Sequence, residues 1–105
     1  MDAQLKRGLL EVCVLACISN KESYGYRIIQ DISPYIEMSE ATLYPILRRL
    51  VEKGEAQSRT IEKDGRLRKY YAITYKGQEH INEFIEQIRE FNKAYQYILK
   101  SNGGI

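Results

Sequence analysis

The 105-residue sequence has no tryptophan, one histidine, two prolines and two cysteines. A lone histidine, His80, cannot build a nucleophile–base triad. No paired carboxylates or glycine-rich phosphate loop take its place, so the sequence points away from an enzyme. Two cysteines cannot form a disulfide framework, and with His80 far along the chain they lack the partners of a zinc site. No metal or cofactor is therefore expected. Cys13 and Cys17 stand i, i+4 on one predicted helix, where parallel thiols do not readily bridge. They read as small apolar packing residues, a common use of free cysteine, in preference to a redox or metal pair. No apolar run reaches the roughly 18 residues of a membrane span. The opening stretch places charge before apolar residues, but it leads into Cys17-Ile18-Ser19-Asn20-Lys21-Glu22 with no small-residue cleavage site. No signal peptide is read there, and a cytoplasmic location is expected. With proline only at 34 and 45, and no repeat, low-complexity stretch or linker, the length allows one compact unit.

What is present is an uneven charge. Residues 39–76 hold nine Lys/Arg against five Asp/Glu, while the rest of the chain holds seven against nine. A basic half on a chain of net charge +2 is the electrostatic footprint of a polyanion binder. The nine tyrosines do not by themselves mark a ligand site.

The hydrophobic periodicity predicts a mainly α (α+β) chain ordered helix, helix, helix, hairpin, long helix. Residues 4–19 form the first helix; from Leu9 to Ile18 only Glu11 is charged, so most of its circumference should be buried. Ser23 is placed to cap a second helix over Tyr24–Ile32, ended by Ser33-Pro34. Gly25 in its first turn suggests close approach by another backbone. A third helix opens at Ser39, a good N-cap with Glu40 at the positive helix end, and closes at Gly54. Leu43, Ile46, Leu47 and Leu50 make its apolar stripe. Its other face carries Ala41, Tyr44, Pro45, Arg48, Arg49 and Glu52, with Thr42 at the edge. Residues 55–61 and 67–73, rich in Thr, Ile and Tyr around Asp64-Gly65, predict a hairpin whose Tyr71 and Ile73 face the core. Thr74 caps a last helix to about Lys100, ahead of a frayed end at 101–105. In it Ile81, Phe84, Ile88, Phe91, Tyr95 and Ile98 recur at intervals of 3 and 4, the spacing of a heptad seam. Such a helix is longer than a body of some 75 residues can cover, so part of it, with Leu5 and Leu9 of the first helix, should meet a second copy of the chain. Residues 1–75 are thus expected to form the DNA-binding domain, and 76–105 the pairing helix and tail.

Three helices and a hairpin describe a winged helix-turn-helix with a long C-terminal dimerisation helix. The third helix of that architecture can enter the major groove. Tyr24, Ser39, Ala41, Thr42, Tyr44, Pro45, Arg48 and Arg49 are the candidate DNA-reading residues. On the wing, Lys63, Arg66, Arg68 and Lys69 are the candidate phosphate partners. Two modules paired through their tails would read a pseudo-palindromic site with half-sites about one helical turn apart. The same architecture can serve as a protein-interaction module without nucleic acid, but its third helix would then show an apolar face.

Thr42-Leu43-Tyr44-Pro45-Ile46-Leu47-Arg48-Arg49-Leu50, Glu52-Lys53-Gly54 and Asp64-Gly65-Arg66-Leu67-Arg68-Lys69-Tyr70-Tyr71-Ala72-Ile73-Thr74, with Gly77 and Tyr24-Gly25-Tyr26, resemble the PadR family of transcriptional regulators over roughly residues 5–80. Leu67 stands where that family often has proline. The short final helix is similar in kind to the compact branch of the family. The resemblance implies a homodimeric repressor on an inverted-repeat operator, released by a small aromatic or drug-like effector, and it accounts for Pro45 as a feature of the recognition helix. An effector pocket between subunits would involve Phe91 and Tyr95.

Overall fold

A computed structural model describes residues 1–103. Its elements run α1 (Ala3–Cys17), β1 (Ser23–Tyr24), α2 (Gly25–Ile32), α3 (Glu40–Glu52), β2 (Ala56–Lys63), β3 (Arg66–Ile73) and α4 (Tyr75–Ser101). The sheet is antiparallel in the order β1-β3-β2. This is the winged helix-turn-helix with a long C-terminal helix that the periodicity predicts.

Several local expectations hold for the reasons that produced them. Ser39 accepts a hydrogen bond from the Thr42 amide and caps α3. At the other end Gly54 takes φ +77°. The Glu55 amide there bonds the Leu50 carbonyl at 2.8 Å and the Gly54 amide bonds Val51 at 3.0 Å, which is a Schellman closure. Asp64 and Gly65 take φ of 53° and 75° between the paired residues Lys63 and Arg66. Positive φ at both central residues is the turn whose twist matches that of the flanking strands. Leu43, Ile46, Leu47 and Leu50 are buried with Val14, Leu15, Ile18 and Ile28, and Tyr71 and Ile73 of β3 join them. Burying each large side chain of this kind stabilises the fold by about 1.5–3 kcal/mol. Cys13 and Cys17 pack against this cluster half-buried.

Three expectations change. α1 starts at Ala3 because the Asp2 carboxylate accepts from the Gln4 and Leu5 amides, and it ends two residues before Ser19. Ser23 does not cap α2. It and Tyr24 pair with Tyr71 and Tyr70 as a third strand, and the N-cap position falls to Tyr24, which is extended and makes no side-chain cap bond. Gly25 is approached closely, but by the Tyr44 side chain and not by a backbone: a Cβ at Gly25 would lie 2.9 Å from Tyr44 Cζ. At the tail, the frayed end expected at 101–105 begins later: α4 stays helical to Ser101 and the chain turns at Gly103 with φ +68°, and residues 104 and 105 lie outside the described residues.

The joint between the head and α4 is tightly made. Thr74 caps α4 by accepting from the Gly77 amide, and its hydroxyl donates to the Gly54 carbonyl at 2.6 Å. The Thr74 amide donates to the Glu55 carbonyl, and Lys76 Nζ donates to the Lys53 carbonyl at 2.9 Å. His80 Nδ1 lies 2.7 Å from Glu55 Oε1. Gly77 packs so closely on the Glu55 carbonyl that a Cβ there would collide with backbone. These contacts tie α4 to the C-terminal end of α3. The fold thereby fixes the direction in which α4 leaves the head relative to the exposed face of α3.

Candidate nucleic-acid interface

The exposed side of α3, the start of α2 and β3 of the hairpin enclose a groove of about 890 Å³. Arg48 and Tyr44 line it from α3, Tyr24 from β1, Tyr26 from α2, and Arg66, Arg68 and Lys69 from the wing, with Glu52 the one carboxylate. Apolar burial produces this arrangement. Once Leu43, Ile46, Leu47 and Leu50 turn inward, the 100° step leaves Ala41, Tyr44 and Arg48 outward, all exposed, with Thr42 and Pro45 half-exposed beside them. Helix α3 runs through Pro45 unbroken, although proline cannot supply the amide that would bond the Ala41 carbonyl. Tyr71 forms the groove's floor. Burial pushes its hydroxyl above the usual phenol value, the neighbouring Tyr44 adds to this and Arg48 opposes it.

The arginines have different partners. Arg49 turns away from the groove to α1, where its Nη2 donates to Glu11 Oε2 at 3.2 Å. Glu11 is buried and also meets Lys53 at 3.5 Å and Arg7 at 3.9 Å. The expected reading role of Arg49 is therefore withdrawn, since its guanidinium is engaged and half-buried. Arg59 at the base of the wing donates to Glu22 through Nε at 3.0 Å and through Nη2. Those hydrogen bonds hold the Glu22 carboxyl below its ordinary value. Lys63, Arg66 and Lys69 are exposed; Lys69 Nζ stands 5.9 Å from the Tyr71 ring centre. Arg68 is half-buried, its guanidinium 4.1 Å from the centre of the Tyr24 ring, and that ring meets Tyr70 edge-on at 5.4 Å. The face of Tyr24 is thus covered by Arg68, which was not foreseen from sequence.

The expected pairing residues divide. Ile81 is buried in the head's own core and Phe84 packs partly against it, so Ile81 is corrected from an intersubunit to an intrachain role. Ile88, Phe91, Tyr95 and Ile98 stay exposed, Phe91 and Ile98 each at 59%. Leu5 is half-exposed and Leu9 half-buried on α1. In the single chain Phe91 and Tyr95 line none of the described cavities. No helix among the described residues is long and apolar enough to cross a membrane. No group of three His, Cys, Asp or Glu residues among them could hold a metal ion.

Sequence reasoning missed Glu11 as a hub of three cations, the Glu22–Arg59 and Glu55–His80 pairs, and the two-residue strand β1. Apart from Arg7, one helical turn before Glu11, the ion partners lie 25 to 42 residues apart in the chain, and β1 is too short for any period to register; a charged residue amid the apolar run of α1 was the one signal, that Glu11 needed a partner.

A model of the transcriptional regulator PadR-like family matches residues 14–83. An uncharacterized protein of Lysinibacillus sphaericus is 36% identical over 100 residues, covering 90% of this chain and 91% of its own. A solved PadR-like transcriptional regulator from Bacillus cereus is 31% identical, with a TM-score of 0.79 over 92% of this chain and 97% of its own. Bacillus subtilis PadR, solved in complex with operator DNA, is 22% identical with a TM-score of 0.67 over 73% of this chain and 46% of its own; that likeness is one of fold.

Proposed function

From the premise that this chain belongs to the PadR-like family, whose members are transcriptional regulators and not enzymes, we propose that it is a cytoplasmic, homodimeric, sequence-specific DNA-binding repressor. The observation that carries the reading is the groove between α3 and the wing, where four cations face one carboxylate. The first turns of α3, with Ser39, Ala41, Thr42, Tyr44, Pro45 and Arg48, read base edges in the major groove. Lys63, Arg66, Arg68 and Lys69 hold phosphates, which makes affinity fall with salt through counterion release. That a relative of this fold was solved on operator DNA supports DNA as the partner, and the Thr42- and Arg48-bearing face of α3 favours nucleic acid over a protein partner.

Two heads pair through Ile88, Phe91, Tyr95 and Ile98 of α4, with Phe84 beside the joint and Leu5 and Leu9 of α1 at the margin. This follows from a heptad stripe that the head does not cover. In that division of labour residues 1–75 read DNA and the chain from 76 onward joins the copies, so the operator is an inverted repeat with half-sites about one turn apart. A small aromatic effector would lodge near Phe91 and Tyr95 between subunits and release the DNA; this part rests on the family resemblance.

The test is retention of a labelled duplex from upstream of the chain's own gene, at physiological salt, against an unrelated duplex of equal length. Selective retention is expected. Equal retention of both, or of neither, contradicts the proposal.

A further inference from the structure

Three arginines on or near the proposed DNA face have fixed partners. Arg49 and Arg59 are held by carboxylates, Glu11 and Glu22, so part of their donor capacity and most of their charge is already matched. Arg68 is held differently. Its guanidinium lies over the Tyr24 ring, 4.1 Å from the centre, and has no carboxylate partner among the described residues. The ring is itself fixed: Tyr24 pairs with Tyr70 in the β1–β3 ladder and meets it edge-to-face. A guanidinium stacked on an aromatic face keeps its full charge and its in-plane N–H fork. A carboxylate would hold the group equally well but would occupy the donors that a phosphate needs.

We infer that Tyr24 is a positioning residue for DNA binding, holding Arg68 over its ring so that the guanidinium meets a phosphate without first being ordered. This deepens the DNA-binding reading and rests on it. It also reassigns Tyr24, expected from sequence as a direct DNA contact, to a role exerted through Arg68. The stacking joins the start of α2 to β3, so it fixes the wing against the helix that carries Gly25 and contacts Tyr44 of α3.

The test compares Tyr24→Phe, Tyr24→Leu, Arg68→Ala and the Tyr24→Leu/Arg68→Ala double variant, all checked for an unchanged far-ultraviolet spectrum and thermal melt. Binding is titrated on one duplex across a salt series. Tyr24→Phe keeps the ring and binds as the unaltered chain does. Tyr24→Leu weakens binding about two- to fivefold, the scale of an exposed cation–π contact, with the salt slope unchanged because Arg68 still neutralises its phosphate once bound. Arg68→Ala lowers that slope by about one unit, and adding Tyr24→Leu to it changes nothing further. In the free protein, the Arg68 side-chain proton resonances show a ring-current shift that Tyr24→Phe retains and Tyr24→Leu abolishes. The inference is overturned if Tyr24→Leu binds like the unaltered chain, if it weakens binding as much without Arg68 as with it, if Tyr24→Phe weakens it equally, or if the Arg68 resonances ignore the ring. An unaltered chain that binds no duplex overturns the DNA-binding reading as well, whereas normal binding with an indifferent Tyr24→Leu overturns this inference alone.

Discussion

Arg66 and Arg49 carry the same side chain in different surroundings. Arg66 is exposed at the wing tip, and Arg49 is tied to the buried Glu11. Arg66→Ala should therefore weaken binding to all duplexes and flatten the salt slope by about one unit. Arg49→Ala should leave that slope alone and reduce stability by about 1.5–3 kcal/mol, the scale of a hydrogen bond to a charged group. Titration across a salt series and urea denaturation separate the two. Thr42→Ala should instead narrow the gap between operator and random DNA, since it stands in the first turn of α3, the helix proposed to read base edges. The cysteines are quieter: burial raises both thiols, with Asp31 adding to the effect at Cys17 and Arg27 opposing it. Less thiolate at neutral pH means slower reaction, so iodoacetamide should label Cys13 and Cys17 more slowly than free cysteine. At this scale the sequence told outward residues from inward ones, because helical periodicity alone decides that for Tyr44 and Arg48. It did not tell Arg48 from Arg49, because the carboxylate that claims Arg49 lies 38 residues earlier.

Among the elements, the hairpin and α4 were the most legible. Asp64-Gly65 demands positive φ at both positions, and Thr74 followed by an apolar 3-4 stripe fixes a helix start and its face. Strand β1 was illegible because two residues carry no period; its partners on β3 draw Ser23 away from the helix cap it resembled. The α4 joint was half legible, for Gly77 could be noticed but not the Glu55 carbonyl pressed against it. Gly77→Ala should destabilise the fold by about 1–3 kcal/mol, the usual cost of overpacking, as a lower denaturation midpoint with an unchanged slope would report. The Glu22–Arg59 pair at the wing base gives a pH dependence of known sign. Because the folded carboxyl is held below its ordinary value by Arg59, its contribution is full above the normal carboxylate range and is lost as pH falls through the depressed value. Thermal melts on the acid side should show Glu22→Gln less sensitive to falling pH than the unaltered chain.

At the scale of the whole molecule the chain is 60 Å long but only 25 by 21 Å across. Helix α4, 27 residues and about 40 Å at 1.5 Å per residue, produces that elongation and carries its apolar stripe past the end of the head. An uncovered stripe of Ile88, Phe91, Tyr95 and Ile98 is costly in water unless a second copy covers it. In the proposed dimer, the joint at Lys53, Gly54 and Glu55 would set how the two α3 faces are oriented. Sedimentation velocity at micromolar concentration, with the protein alone and with a duplex bearing two half-sites, tests this arrangement. Two protomers sedimenting together in both samples are expected, with Phe91→Asp/Ile98→Asp reducing them to one and abolishing selective retention. Lone protomers in both samples, or a single protomer that still selects the operator, would contradict it.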